Sequence, residues 1–228
     1  MAEALLEVNN LEVTFATRMG VVSPVRGVSF RVNTHETLGI IGESGCGKSV
    51  TAQALMGLLS SRTSRVKGEV ILGGKALHSL SAKIRRQRSG REMAMIFQDP
   101  LASLNPVMTI GAQIDESLRL HTYLKRAQRQ QKTIGLLTQV GIADPARCAN
   151  AWPHELSGGM RQRVMIAMAI ATSPSLLIAD EPTTALDATI QAQILDLLDG
   201  LKQQTGMGIV IITHDLSVVA RLCQRVAV

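Results

Sequence analysis

Aromatic side chains are scarce in this chain. Five occur, Phe15, Phe30, Phe97, Tyr123 and Trp152, or 2% of the residues. Single-stranded nucleic acids are held by several stacked aromatics together, so this scarcity argues against that class of partner. Cysteine is scarce as well. Cys46, Cys148 and Cys223 are odd in number and far apart, which suggests neither a disulfide framework nor a zinc site and implies a reducing, cytoplasmic compartment. No apolar stretch approaches the roughly 18 residues of a membrane span; the best run, Val164 to Ala171, is far shorter. Met1-Ala2-Glu3-Ala4 has no basic segment followed by an apolar one, so no signal peptide is evident. Internal repeats and low-complexity tracts are absent too.

What remains is an ordinary globular composition. The 228 residues suffice for one large domain or one domain with an insert, and 46% are hydrophobic. The formal charge is +6. Basic residues cluster at Lys83, Arg85, Arg86, Arg88 and Arg91, and at Lys125, Arg126, Arg129 and Lys132. Contact with nucleic acid or anionic lipid is one reading; solvated helix faces are the plainer one and are preferred.

The stretch around which the chain is organised is Gly42-Glu43-Ser44-Gly45-Cys46-Gly47-Lys48-Ser49, a G-x-x-x-x-G-K-S phosphate-binding loop. The apolar run Thr37-Leu38-Gly39-Ile40-Ile41 before it reads as a buried parallel strand, and Val50 to Leu59 after it as a helix. Glycines let the backbone wrap phosphates, and the helix N-terminus adds partial positive charge. The motif assigns Lys48 to the β- and γ-phosphates and the Ser49 hydroxyl to Mg²⁺.

Residues 5–15 and 25–32 read as two strands, with Pro24 and Gly27 in the turn region between them. The alternation in Val28-Ser29-Phe30-Arg31-Val32 suits a half-buried antiparallel strand. Gly68 to Leu72 reads as a further strand, residues 75–91 as helix or loop, and Met93 to Phe97 as an apolar strand. Segments 108–122, 125–141 and 144–150 look helical and form an insert between strand-bearing regions. Then follow a helix over Ser157–Thr172, a strand over Leu176–Ala179, a helix from Asp187 to about Gln204, a β-branched strand over Ile209–Thr213, and a helix after His214. Alternating strands and helices predict an α/β domain with a mostly parallel sheet. Arg225-Val226-Ala227-Val228 looks like the start of another strand, which suggests that the natural protein continues.

Two further stretches carry chemistry. Leu176 to Glu181 is an apolar strand ending in two carboxylates. Beside a phosphate loop, Asp180 suits Mg²⁺, directly or through water, and Glu181 suits a general base on the attacking water. Leu156-Ser157-Gly158-Gly159-Met160 opens a helix, with Ser157 as N-cap and two glycines baring backbone N–H groups, a second phosphate surface.

Taken in order, Gly42 to Ser49, Gln98, Leu156 to Met160, Asp180-Glu181, Ala185-Leu186-Asp187 and His214 resemble the ATP-binding subunits of ABC transporters over essentially the whole chain. Finer stretches resemble the oligopeptide, dipeptide and nickel importer group: Ile96 to Pro100 with Ser103 to Pro106, Leu156 to Val164, and Ala179 to Asp187. Met160 stands where the family at large usually has Gln, a departure that this importer group shares. The resemblance implies a P-loop core of mostly parallel sheet with N-terminal antiparallel strands over 1–98 and 156–228, and a helical subdomain over 99–155. It implies that Gln98 senses the γ-phosphate and Mg²⁺ and contacts membrane subunits. It implies that Ser157, Gly158 and Gly159 bind ATP held by the phosphate loop of an opposite protomer, whose contacts run from Gly42 to Val50. Asp187 would communicate across that dimer, His214 would bond the γ-phosphate and attacking water, and Phe15 occupies the usual place of the aromatic that stacks on adenine. Cys46 fills a variable loop position, and His35, His78, His121 and His154 carry no role.

The resemblance further implies ATP and Mg²⁺ as ligands, and two protomers, identical or paralogous, sandwiching two nucleotides. Transmembrane permease subunits are the expected partners, with a solute-binding protein acting indirectly and no nucleic acid. The expected location is peripheral, on the cytoplasmic face of the plasma membrane. A competing reading, a soluble ABC-type ATPase of DNA maintenance or translation, calls for long coiled coils or tandem cassettes, and neither is seen in this sequence.

Overall fold

The computed structural model describes residues 4–77, 80, 82–184 and 186–228, excluding the side chains of 82, 83, 86 and 87. His78, Ala185 and the side chains of the basic residues Lys83 and Arg86 therefore lie outside the described residues. In chain order the elements are β1 (Ala4–Thr17), β2 (Gly20–Asn33), β3 (Thr37–Ile40), α1 (Lys48–Met56), β4 (Ser64–Leu72), β5 (Lys75–Ala76), α2 (Ala82–Arg91) and β6 (Met93–Ile96). A run of helices follows: α3 (Pro100–Ser103), α4 (Ile110–His121), α5 (Arg126–Gln139), α6 (Pro145–Asn150), a 3₁₀ turn (Pro153–Glu155) and α7 (Gly158–Ile170). The chain then alternates through β7 (Leu176–Asp180), α8 (Ala188–Thr205), β8 (Gly208–Ile212), α9 (Leu216–Leu222) and β9 (Arg225–Ala227).

The strands form two sheets. One is five-stranded in the order β6-β7-β8-β3-β9, and every pairing in it is parallel. The other is antiparallel, in the order β2-β1-β4-β5. Period-two geometry divides the parallel strands between two cores. Ala94, Ile96, Leu177, Ala179, Ile209 and Ile211 face α7, α8 and α9. Leu38, Met93, Leu176, Ile178, Val210 and Ile212 face α1 and the antiparallel sheet. Burial on both faces explains why these strands read as continuous apolar runs rather than alternating ones. The helical insert packs Ile110, Ile114, Leu118 and Leu137 into the first of these cores, continuous with α7.

The structure corrects the reading of Pro24 and Gly27 as a turn. The hairpin turns at Arg18-Met19, and both residues lie inside β2. Proline removes a ladder donor, but β2 is an edge strand, where that loss is tolerated. Gly27 belongs to an irregularity in the ladder: between Leu11↔Val28 and Glu12↔Arg26, β2 advances two residues against one. The preference for solvated basic faces is also incomplete. Arg85 donates to the Ala54 carbonyl at the end of α1 (2.8 Å), Arg88 pairs with Glu92, and Arg129 pairs with Asp115 (2.7 Å).

Gly68 in β4 shows where the antiparallel sheet tolerates no side chain. Its φ is +95°, and a Cβ there would lie 2.3 Å from the Asn10 carbonyl oxygen, which is backbone. Gly74 also has a positive φ (+71°), with nothing within 4 Å of a Cβ. Gly68→Ala is expected to cost about 2 kcal/mol or more, and Gly74→Ala about 1 kcal/mol, the strain alone. Chemical denaturation of the two variants checks the order; equal losses would refute the steric account.

Candidate active site

Parallel pairing brings the ends of four strands to one sheet edge, and each exit carries a residue singled out from the sequence. The phosphate loop follows β3, Gln98 follows β6, Asp180 ends β7 with Glu181 next in the chain, and His214 follows β8. One rung fixes their level: Asp180 pairs with Ile212, and Ile212 pairs with Ile40. Beyond it the backbone continues in register, Glu181 N–H donating to the Ile212 carbonyl (2.8 Å) and Thr213 N–H to the Ile40 carbonyl (3.2 Å).

In the loop itself Gly45 and Gly47 have positive φ, +84° and +97°. Gly47 is the N-cap of α1, and a Cβ on it would lie 2.4 Å from the Pro24 carbonyl oxygen, so only glycine fits. The Lys48 ammonium donates to the carbonyls of Gly42 and Glu43, each 2.7 Å away, and lies 3.6 Å from Cys46 Sγ. Lys48 thus holds the loop in shape from inside. Ser44 is exposed in the loop, and Val50, in the first turn of α1, packs partly against the core.

Asp180 is 4% exposed, and its Oδ1 is buried without a hydrogen-bond partner. Burial raises its pKa, the Ser49 hydroxyl hydrogen bond opposes that, and the Glu181 charge adds to it. An unsatisfied buried carboxylate oxygen beside a serine hydroxyl is a donor set suited to a hard divalent cation such as Mg²⁺. Glu181 is different. Burial would raise its pKa, but the hydrogen bonds from His214 and Thr184, with the His214 and Lys48 charges, bring the net shift down. Its Oε2 accepts from Gln98 Nε2 (2.8 Å) and Thr184 Oγ1 (2.9 Å), and its Oε1 lies 3.1 Å from His214 Nδ1. An ionised carboxylate only accepts, so Nδ1 carries the proton of that bond. The His214 ring is 65% exposed. The Glu181 backbone has φ +47°, in the left-handed region, where a non-glycine residue is strained.

The remaining residues lie on other elements. Ser157 is the N-cap of α7, accepting from Met160 N–H (3.3 Å), with Gly158 and Gly159 opening the helix. Asp187 is the N-cap of α8, accepting from Thr189 and Ile190 N–H, each 3.0 Å away. Ile190 leans on the Leu156–Met160 stretch, the signature of the family: a Cβ on Gly159 would lie 3.0 Å from its Cγ2. Phe15 sits in β1 between Val22 and Ser64, partly buried against the second core. Phe30, rather than Phe15, lines the groove of about 550 Å³ beside Gly45–Lys48. Sequence reasoning missed Thr184 and the direct Gln98–Glu181 bond. A hydroxyl three residues past a carboxylate was a readable signal for the first; the second depends on β6 pairing with β7.

Phosphate loop, buried carboxylate, strained glutamate and histidine on one parallel sheet edge define a P-loop nucleotide hydrolase with an antiparallel N-terminal sheet and a helical insert. The comparisons make this specific. The family model described as ABC transporter matches residues 25–184. A probable peptide ABC transporter ATP-binding protein of Sinorhizobium fredii is 54% identical over 228 residues, 100% of this chain and 68% of that one. A dipeptide transport ATP-binding protein of Bacillus subtilis is 48% identical over 227 residues, 99% of this chain and 68% of that one. A bacterial ABC transporter cassette solved as a dimer is similar with TM-score 0.83 and 26% identity, covering 95% of this chain and 90% of that one. A post-hydrolysis dimer of that cassette, bound to ADP and Pi, is similar with TM-score 0.84. The chain belongs to the ABC transporter family, as an ATP-binding, ATP-hydrolysing cassette.

Asp180 gives a test independent of turnover. Its folded-state pKa lies above the ordinary 3.8. A raised carboxyl pKa means that the ionised form costs stability at neutral pH, and that this cost fades as pH falls through the raised value. Asp180→Asn is expected to stabilise the nucleotide-free chain by about 1 kcal/mol at neutral pH. The advantage should shrink on acidification toward the ordinary carboxyl range. Denaturation curves at several pH values check this; a destabilised variant would refute it.

Proposed function

We propose that this chain is the energising subunit of a peptide importer, hydrolysing ATP in a head-to-tail sandwich of two ATP-binding subunits. The observation that carries the hydrolytic assignment is the convergence on Glu181 of Gln98, Thr184 and His214, from three separate stretches, beside Lys48 and Ser49. Peptides are favoured over nickel because the relatives reported above carry peptide and dipeptide names. Those names give no support to a role in DNA maintenance or translation.

In this reading residues 1–98 and 156–228 form the nucleotide-binding core, and 99–155 form the helical subdomain that meets the permease subunits. Backbone N–H groups from Gly42 to Val50 cradle the phosphates, and Lys48 leaves the Gly42 and Glu43 carbonyls for the β- and γ-phosphate oxygens. Phe15 is the proposed adenine-stacking aromatic by family position alone, since the groove beside Gly45–Lys48 is lined by Phe30. Ser49, Asp180 and Gln98 would hold Mg²⁺, which when bound supplies positive charge against the β- and γ-phosphates.

Glu181, kept ionised by its neighbours, accepts the proton of the attacking water. His214 orients that water and the γ-phosphate with its exposed ring edge. Gln98 and Thr184 occupy Oε2, which leaves Oε1, beside His214, as the oxygen that takes the water's proton. Ser157, Gly158 and Gly159 supply N–H groups and a helix N-terminus to ATP on the opposite protomer, and closure excludes bulk water. Asp187 faces the partner across the same seam. Motion of the helical subdomain then reaches the permease at the cytoplasmic face of the membrane. No helix among the described residues is long and apolar enough to cross a membrane.

Two substitutions test the roles. Lys48→Ala is expected to abolish tight ATP binding in a nucleotide-binding assay. Glu181→Gln is expected to bind ATP, to lose turnover by about 100-fold or more, and to accumulate an ATP-dependent dimer in light scattering. Wild-type turnover in Glu181→Gln would remove Glu181 from the role of base. A variant that binds ATP yet stays monomeric would show that this chain does not pair with itself.

A further inference from the structure

We propose that Gln191 is a positioning residue that ties the first turns of α8 to the loop carrying His214, so that the signature surface and the hydrolytic histidine move as one piece. The inference rests on the roles given above to Glu181, His214 and the signature glycines.

The loop Thr213-His214-Asp215 is anchored on both sides of the histidine. On one side Thr213, 4% exposed, is fixed to the sheet through the Ile40 carbonyl. On the other, Asp215 is fixed by its side chain. Its Oδ1 accepts from Ser217 N–H (2.8 Å), which only closes its own turn, and its Oδ2 accepts from Gln191 Nε2 (2.9 Å). The Gln191 bond spans 24 residues and, of these two, is the one that reaches another element. The Ser217 and Gln191 bonds together hold the Asp215 carboxyl below its ordinary range, as expected for an ionised acceptor.

Gln191 is well placed to carry displacement. Its backbone N–H donates to the Asp187 carbonyl (2.8 Å), one helical turn back. Ile190, the preceding residue, rests on Gly159 of the signature. The start of α8 therefore touches the surface offered to the partner's nucleotide through Ile190, the dimer seam through Asp187, and the His214 loop through Gln191. In a sandwich these serve different nucleotides: the signature meets the partner's ATP, while His214 acts on the chain's own. A shift at the signature would be transmitted to His214 by a helix turn, which is stiff, and a hydrogen bond, which is directional.

The test reverses the polarity of that bond in the full chain. Gln191→Glu sets two carboxylates face to face and is expected to lower kcat for ATP about tenfold, with KM for ATP and ATP-driven dimerisation changed less than about twofold. Asp215→Asn alone keeps a bond, because the new amide can donate to Gln191, and should stay within about threefold of wild type. The double variant, in which that amide donates to the new carboxylate, should return to within about threefold as well. A merely structural role would instead lower stability and disturb KM and dimerisation together with kcat. Gln191→Leu, which removes the bond without adding charge, gives the same kcat loss if the first variant folds poorly. Wild-type kcat in both Gln191 variants, or a double variant no better than Gln191→Glu, would overturn the proposal. A wild-type chain that dimerises with ATP yet shows no ATPase activity would overturn the reading on which it rests.

Discussion

Parallel pairing of β3, β6, β7 and β8 is the constraint on which the site depends. Strands that run the same way must leave the sheet on the same edge. The phosphate loop, Gln98, the two carboxylates and His214 lie far apart in the chain, and no local interaction could gather them. Register sets their height: the rung Ile40–Ile212–Asp180 levels the exits, and the backbone bonds of Glu181 and Thr213 carry the alignment one residue beyond it. Slipping β7 by one residue would exchange its two faces. Asp180 would then turn away from Ser49, and the Leu176–Ile178 pair would leave the core it fills.

The site spends some of the stability that this core provides. Gly45 and Gly47 hold backbone conformations that other residues resist, Glu181 holds such a conformation without being glycine, and Asp180 keeps a buried oxygen unpaired. Of these, the unpaired Asp180 oxygen is the one that a bound cation would satisfy. The Lys48 ammonium is the contrasting case. Its partners in the loop are two carbonyls, which a phosphate would have to replace.

Much of this was legible in the sequence because the relevant signals are local. A glycine-rich loop between an apolar run and a helix, a Ser-Gly-Gly helix start, and an apolar strand ending in Asp-Glu are each read within a dozen residues. The helical insert was legible because helix-like segments follow one another between strand-bearing regions. What was not legible is what depends on pairing between distant segments. Pro24 and Gly27 read as a turn because punctuation by Pro and Gly is ordinarily local. The structure places them in an edge strand, where a missing ladder donor is tolerated and one extra residue is absorbed. The inward use of Arg85, Arg88 and Arg129 was hidden for the same reason. A run of basic residues shows its charge in sequence but not its partners. Gln98 and Glu181 are 83 residues apart, and their bond follows from β6–β7 adjacency alone.

That adjacency also bears on where the hydrolytic water can sit. Among the described residues, the side-chain hydrogen bonds to the Glu181 carboxylate come from Gln98, Thr184 and His214. In the proposed mechanism Gln98 serves the cation and His214 the γ-phosphate, while Thr184 lies in the loop leading to Asp187. With Oε2 accepting from Gln98 and Thr184 and Oε1 from His214, the carboxylate keeps one lone-pair direction, on Oε1, for a water. The bonds that keep Glu181 ionised therefore also dictate where that water can sit. That direction follows from the geometry of one strained residue immediately after β7.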